Sequence, residues 1–237
     1  MIKAAMKQKI IFLAFLFSLS VSLFAHEKGD IVLNPEFQGG FVFPLIVPDF
    51  DAMGIDGNDA GSVGFDYAAR VTGNYFFAPD FSANIGFGIG GLMAFSGYDY
   101  DNAGAEVKIN NTYRTTWITV PFGVRYTKGT FVIGGGFAAN TPFDSFHEGK
   151  NDQTNTTSND DDFKTNPFLS WYLDLGLDLA AGEGKSSGFG IALRVGSSFS
   201  DIAGNTSAQT FSNFGYAHVS LLLNYMFKVG NFGGKTM

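Results

Sequence analysis

His218, Val219 and Ser220 set an imidazole and a hydroxyl two residues apart, so both leave the same face of an extended strand. A base beside a hydroxyl is the core of a nucleophilic hydrolase. Acting on a lipid, such a pair must face the lipid. The flanking alternation, Ala217, Val219 and Leu221 against His218 and Ser220, turns it the other way. No acid follows Ser220 on that strand to orient the ring. Gly86–Gly91, GFGIGG, matches the dinucleotide fingerprint, but that motif needs a helix after its glycines, and here Leu92, Met93 and Phe95 continue a strand. Asp49 and Asp51 open something like a calcium loop, yet its fifth and twelfth positions hold Met53 and Ala60. Asp160, Asp161 and Asp162 form a second acidic cluster. With no cysteine in the chain, disulfides and thiolate metal sites are excluded. The reading is therefore not an enzyme, with no catalytic, cofactor or metal site; the two acidic clusters are extracellular-loop candidates.

A second set of chemical groups is more telling. Glu36, Asp66, Asp174 and Asp178 face Arg70, Arg125 and Arg194 on the polar parity of segments whose other parity is apolar. Charges inside a protein need partners, so these residues read as one lumen network.

The elements that carry them repeat with period two. Ser170–Leu179 alternates Trp171, Leu173, Leu175, Leu177 and Leu179 with Ser170, Tyr172, Asp174, Gly176 and Asp178. That is a strand pattern no helix uses. Eight such segments are predicted, at roughly 30–46, 64–77, 81–97, 112–127, 130–143, 167–181, 188–199 and 211–227. Connections alternate long and short. The long ones are Val47–Val63, Gly97–Asn111, Asp144–Asn166 and Ser200–Thr210. The stretch Asn151–Asp162 lacks apolar anchors and is expected to be a mobile extracellular loop. Long loops at one end and short turns at the other suit a transmembrane barrel, in which every strand edge must be closed. The fold expected is all-β: a closed eight-stranded antiparallel up-and-down transmembrane β-barrel with short periplasmic turns and long extracellular loops.

Composition agrees. The chain has 237 residues, 31 glycines, 27 phenylalanines and only 16% charged residues. A net charge of −7 argues against nucleic acid. Lys3, Lys7 and Lys9 precede the uncharged apolar run Ile10–Ala25, at 16 residues shorter than the roughly 20 of a membrane helix. Residues 1–25 therefore read as a signal peptide, 26–228 as the barrel and 229–237 as a short periplasmic tail. Tyr75, Phe77, Phe81, Tyr126, Phe131, Tyr225 and Phe227 are expected to girdle the periplasmic side. Phe43, Phe65, Tyr67, Phe95, Phe168 and Trp171 are expected to girdle the outer side.

A signal peptide, eight amphipathic strands, long outer loops and a final aromatic resemble the small outer-membrane barrels of Gram-negative-type bacteria, the A, X and W types. The start Ala25-His26-Glu27-Lys28-Gly29-Asp30 is similar to that of the W type. The chain departs in carrying KVGNFGGKTM after Phe227. The resemblance implies export to the outer membrane, with membrane lipids and the barrel-assembly machinery as partners. Three roles stay open: a structural or surface-interaction barrel binding host or surface ligands through its loops, a narrow channel or lateral route for small hydrophobic molecules, and, more remotely, a lipid hydrolase. A turn centred on Gly184 and Lys185 sets Arg194 opposite Leu175, which faces the other way. The register must therefore slip by one, bringing Arg194 within reach of Asp174 or Asp178.

Overall fold

A computed structural model describes residues 26–48, 57–102, 105–160, 163–181, 187–199, 202 and 211–232. It holds nine antiparallel strands: β1 (Asp30–Pro48), β2 (Gly57–Ala78), β3 (Phe81–Asn102), β4 (Ala105–Lys128), β5 (Phe131–Asn151), β6 (Thr156–Asp160), β7 (Phe168–Ala181), β8 (Ser187–Ser198) and β9 (Phe211–Asn231). Eight of them pair in chain order, and β1 closes the ring on β9 from Asp30↔Asn231 to Pro48↔Phe211. Short β6 lies outside the ring, paired with the far end of β5. Closure removes every edge from the barrel wall, the one all-β solution that leaves no orphaned backbone group in hydrocarbon.

Strands form here because side-chain type alternates along them. On β7, Leu173, Leu175 and Leu179 point out while Tyr172 and Asp178 are buried inside. Only two residues, Gly129 and Thr130, link β4 to β5, and Gly129 adopts φ 64°, a left-handed turn position open to glycine at no steric cost.

Several elements differ from expectation. The long connections around 97–111 and 144–166 are largely strand: β3 and β4 zip together as far as Asn102↔Ala105, and β5 turns back through β6. Asn151 Oδ1 accepts from the N–H groups of Gln153 and Thr154, closing that turn. Residues 151–160 of the stretch expected to be a mobile loop are thus the turn and second arm of a hairpin. A solvated hairpin needs no apolar face, so hydrophobic periodicity cannot report it. β9 runs to Asn231, and the Phe232 N–H donates to Gly29 O, which carries the wall past residue 228. Phe168 points inward, edge-on to Trp117 at 5.2 Å, and is no part of a girdle. Pairing jumps from Thr116↔Asp144 to Trp117↔Pro142, so Phe143 bulges out of β5. The bulge flips the parity above it and turns His147 inward against Tyr113. The signal segment, its cut and the turn at 182–186 lie outside the described residues.

The turn end of the lumen is closed by Val32, Phe76 and Met226, with His26 stacked on Phe76 at 3.8 Å. Burial lowers the His26 pKa to about 4 against the opposing pull of Asp30. The unfolded chain therefore binds a proton here near pH 6.5 that the folded chain refuses until about pH 4. This contribution to stability is complete above about 6.5 and is lost as pH falls toward 4. Urea unfolding from pH 7 to pH 4 should show roughly 2 kcal/mol more loss for wild type than for His26→Phe. Equal slopes would show that the ring is not held neutral there.

Candidate functional site

The lumen is built from the inward positions of eight strands. Alternation on each strand aims the groups inward, and register decides which of them meet. Asp174 lies directly opposite Arg194 across β7 and β8. Arg194 Nε donates to Asp174 Oδ1 at 2.6 Å and its Nη2 to Oδ2 at 2.7 Å, a fork-on-fork pair. The same guanidinium lies 4.1 Å over the Tyr172 ring. Glu36 faces Arg70 across β1 and β2, with 3.6 Å between Glu36 Oε2 and Arg70 Nε. Glu36 Oε1 accepts from Thr72 Oγ1 at 2.7 Å. Asp178 reaches past β5 to Arg125 on β4, which donates to Oδ1 at 2.6 Å and Oδ2 at 2.5 Å. Three acids thus meet three guanidiniums one to one.

Asp66 is the fourth acid, held by a different set. Ser220 Oγ donates to Asp66 Oδ1 at 2.8 Å, His218 Nδ1 lies 3.1 Å from Oδ2, and Gln38 Nε2 donates to Oδ2. Gln38 Oε1 accepts from both Arg70 Nη2 and Arg194 Nη1, which ties the Asp66 cluster to the ion pairs. Gln38 was not singled out from sequence, although it sits on the same parity of β1 as Glu36.

The pairing of imidazole, hydroxyl and carboxylate invites a hydrolase reading again, because the acid missing from β9 arrives from β2. The geometry answers it. A relay needs the acid on one ring nitrogen and the nucleophile on the other. Here Ser220 Oγ and Asp66 Oδ2 both approach Nδ1, at 3.0 and 3.1 Å, and the hydroxyl donates to the acid itself. All three groups are buried inside the wall, away from any lipid substrate. Among the described residues, no cluster of three His, Asp or Glu side chains is placed to hold a metal. Asp160 pairs its backbone with His147 at the end of β6, whereas Asp49, Asp51, Asp161 and Asp162 lie outside the described residues. GFGIGG runs straight through β3 with no helix following it.

Apolar and aromatic side chains close the loop end. Trp117, Phe168 and Tyr216 stack and edge together 5.2–6.2 Å apart. Above them Phe163 and Ile202, from two different connections, are buried against Tyr113, Leu92 and Val42. The Asn166 N–H donates to Ile202 O at 2.6 Å and joins the two connections. Neither Phe163 nor Ile202 belongs to a periodic segment, so nothing in the sequence marked them. Among the described residues, the lumen holds small spaces of about 20 Å³ beside Asp178 and about 30 Å³ beside His218, each taking no more than a water or two.

Outside, the polarity is inverted. Phe37, Phe41, Ile85, Phe87, Val124, Ile133, Leu173, Leu175 and Phe189 are each more than half exposed and, with Val71 on β2 and Leu223 on β9, put a belt of apolar side chains on the outer face of every strand of the ring. The described strands thus form a closed eight-stranded antiparallel β-barrel whose outer face is apolar. No family model and no curated protein matches the chain. Among solved structures it is similar to outer membrane protein OprG from Pseudomonas aeruginosa (14% identity over 88% of this chain and 99% of that one, TM-score 0.38). It is also similar to outer membrane protein AlkL (13%, 90% and 95%, TM-score 0.41) and to the outer membrane protease OmpT from Escherichia coli (8%, 85% and 97%, TM-score 0.39). Likenesses this remote do not separate the W type from the A and X types. The ring itself rests on the strand pairings of this chain.

Proposed function

We propose that this barrel resides in the bacterial outer membrane, closed to solutes, and that its role is structural and surface-interacting. The observation that carries the reading is the filled lumen: an ion-pair layer between an apolar floor at Val32, Phe76 and Met226 and an aromatic lid at Trp117, Phe168 and Tyr216. An eight-stranded ring is just wide enough for its own side chains, and here they fill it. What projects is the sheet of β3, β4, β5 and β6. The 24 residues of β4 are more than twice the roughly 9–11 a tilted strand needs to span a bilayer. Beyond the apolar belt that sheet displays Asp99, Glu106, Lys108, Lys150 and Asp152, a polar surface held on paired strands where it can meet another molecule.

Refolded mature barrel in a planar bilayer should carry no steady current. Phe163→Ala, which thins the loop-end lid and spares every ion pair, should leave it silent as well. Steady single-channel conductance of the wild type would overturn the closed reading in favour of the narrow channel.

A further inference from the structure

The belt is not smooth. On β5, Gly134, Gly135 and Gly136 follow one another, and the parity of Ile133 and Phe137 places Gly135 on the outer face. With no side chain at Gly135, the wall there sinks into an open groove of about 740 Å³. Val124, Ile133 and Leu173 flank it, Phe81 and Tyr126 bound it toward the turn end, and Trp171, Phe137 and Phe199 bound it toward the loop end. From Ile133 to Phe137 the groove runs about 13 Å along the strands. A bare outward glycine does not force such a gap. Gly91 is covered by Tyr67, whose ring occupies the space a Cβ would take and whose hydroxyl lies 3.2 Å from Thr116 Oγ1. At Gly135 only the end of the flexible Leu173 side chain, its Cδ2 at 2.9 Å, leans over the position of such a Cβ, and the aromatic rings stand around the groove.

We propose that this groove seats one acyl chain of a membrane lipid, held longer than the lipid around it. The inference rests on the reading that the belt faces lipid. The lining is apolar side chains and three glycines, with Arg125 engaged by Asp178 inside, so the groove offers an apolar ligand much contact and a polar one little. An open-sided apolar trough running along the strands suits a hydrocarbon chain. Every neighbouring strand is paired, so no free edge invites a peptide.

Only two tryptophans report. Trp171 borders the groove and Trp117 is buried in the lumen, which leaves Trp117 as an unquenched baseline. The test refolds the mature chain in vesicles mixing plain and brominated phosphatidylcholine, and reads the brominated fraction needed to quench Trp171. A seated chain gives a relative affinity several-fold above one. Gly135→Leu, which fills the groove, should bring it to one, and so should Phe199→Ala, which removes a wall without adding bulk. Gly39→Leu, on an exposed outward site of β1 where an added Cβ meets nothing, should leave it unchanged. Native mass spectrometry should show one phospholipid retained by wild type and none by Gly135→Leu. Random-mixing quenching in wild type, identical to Gly135→Leu, would overturn the seat while leaving the membrane reading intact. No quenching at all would overturn the membrane reading. Loss of quenching with rising protein density in the vesicles would show a second copy in the groove and overturn the lipid.

Discussion

Arg194→Ala is expected to lower the unfolding free energy of the barrel by about 3–5 kcal/mol. The side chain is 4% exposed and holds both oxygens of Asp174, so its removal strands a largely buried carboxylate without its cation. It also removes the cation lying over Tyr172 and one of the two donors to Gln38 Oε1. Removing Asp174 as well should recover part of the loss, because two absent charges cost less than one left alone. Urea unfolding of the four variants of this cycle in lipid vesicles measures the coupling, expected at 1 kcal/mol or more. Arg194→Lys should recover little, since an ammonium cannot make the two parallel bonds. If the plug is what closes the lumen, Arg194→Ala should also admit current where wild type does not. Additive effects of the Arg194 and Asp174 replacements would show that the network does not hold the barrel together.

The strands were legible because the two faces of the wall meet different solvents, and that contrast writes itself into every second residue. Parity even corrected the turn geometry: Arg194 could not oppose outward Leu175, and the observed partner one step away is Asp174. The pairing of Arg125 with Asp178 was not legible, because β5 lies between their strands and the contact depends on how far two long side chains reach across the lumen. The solvated upper hairpins, the bulge at Phe143 and the lid residues Phe163 and Ile202 carry no period at all. Parity alone also misleads about glycine. Gly176 faces a polar interior, which suggests that Gly176→Ser is harmless. A Cβ there would run into the Ile191 carbonyl and meet Ala192 Cβ at 2.6 Å, so it is no neutral control.

Leu175→Arg is the substitution that separates lipid from water as the outer solvent. Leu175 is 61% exposed, between Ile133 on β5 and Leu193 on β8, near the middle of the belt. On a water-soluble barrel an exposed leucine can become arginine within about 0.5 kcal/mol, because nothing packs on it. In a bilayer the same change places a guanidinium near the midplane and costs about 2–4 kcal/mol. Thr157→Arg, exposed on β6 beyond the belt, should cost nothing in either solvent. Reversible folding into vesicles reads the difference directly, and in short-chain detergent, whose thin apolar layer lets arginine reach water, the penalty at Leu175 should shrink. A Leu175→Arg barrel that folds into vesicles as well as Thr157→Arg would mean that this wall does not meet hydrocarbon, and the outer-membrane placement would fall with it.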